Sequence, residues 1–410
     1  MILKILRIGG INPTSSRFLV LIELSEIEKI YFFIPFNEKN NIEDLIETAH
    51  FFNEEYLLKK IEIHFIQPIS LLSKIIRKLA KLFKSEQGMG FAYRNFIKEI
   101  KNKLDVDFIW IGDNDFDGSN DLFVALNSKI KNKIPYFRSY KETRFQKKWT
   151  EYYTLKFVDK LIFPSTSYID FFKELYNLKL NKNLIADLDW RYSKVISWVK
   201  NLNVIKLSKY DNKPHVCILT GKALCSPKEK RSGFRYYFIP IIEELIKRDI
   251  VVHLHAMKII KENNSIENPY EKISRETGLL FIEKPLNLRV GSKDYEILKR
   301  YDAGILHPLI PENKISLQKF QLINIPNRLY EYQMANVLPL AQLKSTPEAE
   351  KIINKTNFGI IFSDFDDLSE KLFKLIRTNE FEKNIDFDKV KSFKDFSRIL
   401  LSEYIEKNKN

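Results

Sequence analysis

Residues 324–341 read N-I-P-N-R-L-Y-E-Y-Q-M-A-N-V-L-P-L-A, and their one acid, Glu331, follows Asn327, Arg328 and Tyr330 at helical spacing. The pattern predicts a helix over 328–335, with Asn324 or Asn327 as its cap and Pro326 in the first turn, where a missing N–H costs nothing. Asn336 suits the left-handed residue that ends a helix, and 337–341 reads as a short buried strand. A helix start offers unpaired N–H groups and partial positive charge, which suit a phosphate. Glu331, one turn in, can accept from two neighbouring hydroxyls, such as those of a ribose. An ordinary capped helix bearing a glutamate is the competing reading.

A second cluster is Asp113, Asp115, Asp117 and Asp121, in the spacing D-x-D-x-D-G-x-x-D. It copies the first half of a calcium loop, but Val124 stands where the bidentate glutamate belongs. No paired helix–loop–helix surrounds it, so no metal site is expected. The aspartates follow an apolar run at 106–112 that reads as a buried strand. Ligands of open α/β sheets bind at such strand ends, so one of the three leading aspartates is a candidate to bind a hydroxyl or take its proton. The alternative is a solvated cap for a helix beginning near Asp121.

The elements that must position these residues alternate between strand and helix. Strands are expected at 2–8, 30–35, 61–66, 106–112, 134–138 and 156–162. Helices are expected at 42–52, 69–84, 91–104 and 167–176, with a helix or strand between 16 and 27. Residues 180–202 read as helical, and the polar, lysine-rich 203–214 reads as a linker. A second α/β series then begins with a strand at 215–220, a helix at 234–247 and a strand at 251–255. Strands at 279–283, 302–307 and 357–362 follow, with helices at 295–301, from about 345, at 364–376 and at 391–407. The expected division is 1–205, 206–385 and a terminal helix over 386–410 that crosses back to the first domain.

Composition narrows the partners. The net charge of +14 favours anions: nucleic acid, acidic lipid or a phosphorylated small molecule. Basic residues are spread along the chain without an aromatic–basic recognition module, so nucleic acid is the weaker choice. Two cysteines, Cys217 and Cys225, give no disulfide framework and point to a reducing, cytoplasmic setting. No apolar run is long enough to span a bilayer, and the first residues read as a strand rather than a signal peptide. The sequence of 69–84 is I-S-L-L-S-K-I-I-R-K-L-A-K-L-F-K, with no acid. On a helical wheel its apolar residues form one arc, and Lys74, Arg77, Lys78 and Lys81 lie opposite. Such segregation suits a peripheral helix in an anionic membrane interface, while a core-packed helix with a basic outer face is the rival.

The 324–341 pattern resembles the donor segment N-K-L-x-E-Y-x-A-A-G-x-P-V of GT-B glycosyltransferases of the group-1 or family-4 type. Asn327, Arg328, Leu329, Tyr330, Glu331, Tyr332, Ala335 and Pro339 fall in register, and Asn336 replaces the family's glycine. The family's other donor-site glutamate is missing, because Ile323 stands there. The resemblance implies an α/β chain of two Rossmann-like domains facing across a cleft, with a nucleotide-diphosphate sugar on the second domain and the acceptor on the first. It implies that Lys222 and one of Lys228, Lys230 or Arg231 neutralise the donor diphosphate, that His307 touches donor phosphate or sugar, and that 284–286 contacts the nucleobase. Gly9 and Gly10 match the place where the first strand approaches donor and acceptor. The implied acceptor is a glycan or a lipid-linked hydroxyl, with no cofactor and no metal. A degenerate sugar-binding relative and an epimerase of the same architecture are the alternatives within the fold.

Overall fold

The computed structural model describes residues 3–8, 27–35, 43–66, 71–83, 85, 108–111, 133–135, 161–163, 165–179, 183–185, 193–226, 233–261, 267–307, 309 and 321–378. The chain separates into two compact units, with the passage from one to the other at Ser193 and Lys194.

The first unit is built on a parallel sheet. Its strands are β1 (Leu3–Ile8), β2 (Ile27–Pro35), β3 (Ile61–Ile66), β4 (Phe108–Ile111) and β5 (Lys133–Pro135), in the order β3-β2-β1-β4-β5. Helices α1 (Glu43–Phe51), α2 (Leu71–Leu82) and α3 (Thr166–Tyr176) belong to the same unit. Helix α3 has a full set of local signals: the Ser165 hydroxyl accepts from the Tyr168 N–H, and Asn177 ends it in the left-handed conformation. Strand β6 (Leu161–Phe163) pairs with β7 (Asn183–Ile185) in a separate two-stranded sheet. The helical reading of 180–202 therefore fails over its first part, and only α4 (Ser193–Asn201) is helix there.

The second unit carries a six-stranded parallel sheet. It is formed by β8 (His215–Thr220), β10 (Val251–Ala256), β12 (Leu280–Glu283), β13 (Ala303–Ile305), β14 (Leu338–Gln342) and β15 (Ile360–Phe362), in the order β12-β10-β8-β13-β14-β15. Short strands β9 (Ala223–Leu224) and β11 (Ile259–Ile260) pair beside it. Its helices are α5 (Ile239–Ile246), α6 (Pro269–Thr277), α7 (Asp294–Lys299), α8 (Arg328–Met334), α9 (Pro347–Thr356) and α10 (Phe365–Thr378). Val216, Ile218, Val252, Leu254, Ile305 and Leu340 point from the strands into one core with Ile242, Leu245, Leu368 and Leu372 of α5 and α10. The helix expected over 234–247 is split into a 3-10 turn at Gly233–Tyr236 and α5. Pro240 fixes where α5 can begin: it has no N–H to donate and fits a helix's first turn, where it stands.

Residues 203–214 are not a free linker. Lys206 Nζ donates to the Tyr301 and Asn336 carbonyls at 2.6 and 2.7 Å, and the Ser208 hydroxyl donates to Asp302 at 2.7 Å. The segment is thereby fixed against the amino edge of the second sheet.

Each main sheet starts in its middle and extends outward in both directions. In the second unit the reversal falls between β8 and β13, and the carboxyl ends of the strands flanking such a reversal form a natural ligand crevice.

Candidate functional site

The residues that follow β8 and β13 are Gly221–Lys222 and Leu306–His307, so the strand order alone brings a lysine and a histidine to the reversal. Helix α8 covers the same point. Pairing between β8 and β13 runs through Gly304 and Cys217, and beyond it the Tyr332 hydroxyl bridges the strands. That hydroxyl accepts from the Leu219 N–H at 3.2 Å and donates to the Ile305 carbonyl at 3.3 Å. A Cβ on Gly304 would overlap the Tyr332 ring, so the glycine is what lets α8 come this close. The far end of α8 is tied by Gln333, whose amide donates to the Thr356 hydroxyl and the Phe358 carbonyl. Asn336 then turns the chain at φ +56, as its type predicts.

Arg328 opens α8. Its Nη1 is sealed from solvent and has no hydrogen-bond partner, and neither does the sealed Nε2 of His307. Burial lowers the pKa of Arg328, and the nearby Arg235 guanidinium lowers it further. His307 is pushed down to about 3, by burial first and then by the positive charges of Arg328 and Arg235, so its ring is neutral. A buried guanidinium whose charge is opposed by that of a second one is an arrangement that an anion completes. Cys217, beneath it, has its thiol raised to about 12 by burial and is no nucleophile.

Glu331 lies one turn along α8 from Arg328, half-buried rather than packed in the core, and accepts from the Tyr295 hydroxyl at 3.4 Å. Tyr330 is buried. Asn327 takes the cap position but is already in helical conformation and makes no side-chain capping bond, while Asn324 is buried. Pro326 falls just ahead of the helix, not in its first turn. Lys222 is exposed; its backbone N–H donates to Thr220 Oγ1, and its Nζ stands 6.0 Å from the centre of the Tyr236 ring. His255 Nδ1 donates to the Lys284 carbonyl at 2.6 Å and so orients the start of 284–286. Gly9, Gly10, Asp113, Asp115, Asp117, Lys228, Lys230 and Arg231 lie outside the described residues. Arg235 is the member of the cationic group that sequence reading did not single out. Its signal was only its place two residues beyond the basic loop.

On α2, Lys78 is exposed, while the side chains of Lys74, Arg77 and Lys81 lie outside the described set. The apolar arc of α2 faces solvent: Leu71, Leu82 and Phe83 are 72–75% exposed, whereas Ala80 is buried. No helix among the described residues is long and apolar enough to cross a membrane.

No protein-family model and no curated protein matches this chain. Solved structures do. A glycosyltransferase from Rickettsia africae is 15% identical, with 100% of this chain and 99% of that one covered at a TM-score of 0.59. HepE of Anabaena, solved in complex with UDP, is 11% identical over 98% and 95% of the two chains at 0.54. The lipopolysaccharide outer core galactosyltransferase WaaB, in its apo form, is 12% identical over 98% and 100% at 0.55. Similarity of this extent at such identities is similarity of fold, and it agrees with the two parallel sheets described above. The chain has the GT-B fold, built from two Rossmann-like α/β units.

Proposed function

We propose that the protein is a glycosyltransferase that moves a sugar from a nucleoside-diphosphate sugar to an acceptor hydroxyl, with the nucleoside diphosphate as leaving group. The observation that carries this reading is the sealed, unpartnered Nη1 of Arg328 beside the unpartnered Nε2 of His307, at the strand reversal of the second sheet. The diphosphate sits on Arg328 and His307, with Lys222 and one of Lys228, Lys230 or Arg231 closing over it. Arg328 and the basic side chains of the loop stabilise the charge that accumulates on the leaving group while His307 contributes a hydrogen bond, and no metal or cofactor is required. Glu331 holds the ribose hydroxyls, and one of Asp113, Asp115 or Asp117 engages the acceptor. HepE, solved with UDP and with UDP-glucose, supports the choice of donor class. The acceptor is a glycan or a lipid-linked hydroxyl at the cytoplasmic face of a membrane.

The exposed apolar arc of α2, with basic residues and no acid around it, supports docking on an anionic lipid surface. Neutralising Lys74, Arg77, Lys78 and Lys81 together is expected to abolish sedimentation with anionic vesicles; undiminished sedimentation overturns the docking. For the donor site, Glu331→Ala is expected to weaken nucleoside-diphosphate-sugar binding roughly 10- to 100-fold in calorimetry, the loss of charge-assisted hydrogen bonds, while the circular dichroism of the fold stays intact. Wild-type affinity in that variant refutes the assignment. A second reading, donor binding without transfer, is favoured by the buried, apolar Ile323. Binding without turnover across a panel of nucleotide sugars and glycan acceptors would select it.

A further inference from the structure

Among the described residues, seven other than glycine hold a left-handed backbone. Six are Asn53, Asn177, Asn212, Asp249, Asn336 and Asn357, the residue types whose short polar side chains tolerate that conformation. Lys344, at φ +64, is the exception. A lysine has no such local compensation, so it stands there against a backbone cost.

The bonds on either side leave the backbone little choice. Lys344 lies in the turn that leads from β14 to α9. The Leu343 N–H donates to the Phe362 carbonyl at 2.8 Å, and the Ser345 N–H and hydroxyl both donate to the Gln342 carbonyl, at 3.0 and 2.7 Å. Asparagine or glycine would fill the place between them without strain. What the lysine adds is its side chain, and strain of this kind is held where function requires it.

That side chain lines a cavity of about 400 Å³, the volume of a small-molecule site. The cavity lies at the carboxyl ends of β13, β14 and β15 and shares His307 with the cationic group. Lys344 is exposed, and its ammonium has no hydrogen bond or ion pair among the described residues. With His307 neutral, it is the one full charge among the described lining residues. Thr346, two residues on, lines the same cavity. It occupies the cap position of α9 but makes no side-chain capping bond, and its sealed Oγ1 has no hydrogen-bond partner. His307 Nε2 is in the same condition. Two sealed, unpaired polar atoms mark a place that a polar ligand completes, and the charge of Lys344 fits an anionic one.

Resting on the donor reading above, we infer that Lys344 is a further donor-binding residue, whose ammonium engages the diphosphate that reaches this cavity at His307. Arg328 is sealed and Lys344 is exposed, so the lysine closes on the phosphates from the solvent side.

The test uses the full chain, calorimetric titration and thermal melting. Uridine, guanosine and adenosine diphosphates are compared first, and the tightest is carried forward. Lys344→Asn removes the charge and installs a side chain suited to the backbone. It is expected to melt a few degrees higher than wild type and to bind the diphosphate about tenfold more weakly, the loss of one charge-assisted contact. Its affinity should also fall less steeply with added salt, because one cation fewer is engaged. Lys344→Gln removes the charge but keeps the backbone cost, so it should lose the same affinity and melt as wild type does. That pair of results separates the charge from the turn. If a diphosphate binds wild type and both variants equally well, the inference is overturned and the donor site stands. Lower melting in both variants with affinity unchanged would make Lys344 a lysine of the fold and overturns it too. If none of the three diphosphates binds wild type, the donor reading falls and this inference with it.

Discussion

The two edges of the second unit's sheet treat buried polar groups in opposite ways. At the amino edge the buried polar side chains of Lys206, Ser208, His215, Lys299 and Asp302 are all paired. Asp302 accepts from the Ser208 hydroxyl at 2.7 Å and from the His215 N–H at 2.8 Å. Lys299 Nζ donates to the carbonyls of Val199, Lys200 and Leu202 at 3.0, 2.9 and 2.7 Å, and so closes the end of α4. His215 bridges Asp211 and His253, and His253 reaches Glu283. Towards the carboxyl edge, Ser226, His307, Arg328, Thr346 and Glu350, in the first turn of α9, each have a sealed polar atom without a partner. Buried polar atoms are almost always hydrogen-bonded, so such a concentration at one edge marks the place a ligand completes. The amino edge spends its charges on holding the chain together; the carboxyl edge keeps them available.

The sharpest way to break this contrast is at the amino edge. Asp302→Ala strips acceptors from Ser208 and the His215 N–H and removes a negative charge that favours the buried Lys206 ammonium, whose pKa is already lowered to about 8, chiefly by burial. Loss of a buried charged partner costs roughly 3–5 kcal/mol. Urea denaturation should show that loss for the second unit, and a change under about 1 kcal/mol would mean that the network is ornamental.

Gly304→Ala acts between the two edges. The added methyl overlaps the Tyr332 ring, so the variant should lose about 1–3 kcal/mol, as over-packed cores do. Because α8 must move to relieve the overlap, nucleoside-diphosphate affinity should fall with it. Stability lost without any loss of affinity would separate α8 from the ligand.

A smaller effect, spread over pH, distinguishes two histidines. His253 and His307 both have folded pKa values of about 3 against an ordinary 6.5, with burial as the first cause in each. Between those values the unfolded chain takes up a proton at each site and the folded chain does not. Stability should therefore be complete above about pH 6.5 and decline on acidification towards pH 3, each histidine contributing about 1.4 kcal/mol per pH unit. His253→Gln and His307→Gln should each flatten the decline. Saturating nucleoside diphosphate should lessen only the His307 share, because an anion favours the imidazolium. An equal effect of ligand on both shares would deny His307 its place in the site.

Much of the framework was legible because local signals agreed. The strand at 215–220 was readable as an apolar run between Pro214 and Gly221, and it forms over His215–Thr220. Helix α8 ends one residue before its expected close, since its apolar face and Asn336 point the same way. Helix α6 was missed although Asn268 caps it, Pro269 opens it and Gly278 ends it at φ +65. It buries only Tyr270, so hydrophobic periodicity had little to register. The segment 203–214 was misread for a related reason. Its lysines suggest solvent, and only the fold shows that Lys206 reaches carbonyls 95 and 130 residues away. Glu331 and Arg328 were found through spacing on one helix. The pairing of Arg328 with His307 and Arg235, and the unsatisfied state of Thr346, depend on which strands become neighbours, which no local pattern encodes.

The contrast between the edges rests most directly on Arg328. Replacing it with methionine keeps the length and packing of the side chain while removing a buried, unpaired charge. Melting temperature and nucleoside-diphosphate affinity measured on the same preparation of Arg328→Met test the claim. The account predicts a free protein that melts higher than wild type and binds at least about 100-fold more weakly, on the order of 2.7 kcal/mol. A variant that melts lower and binds as tightly as wild type would show that Arg328 supports the fold, and would contradict the account.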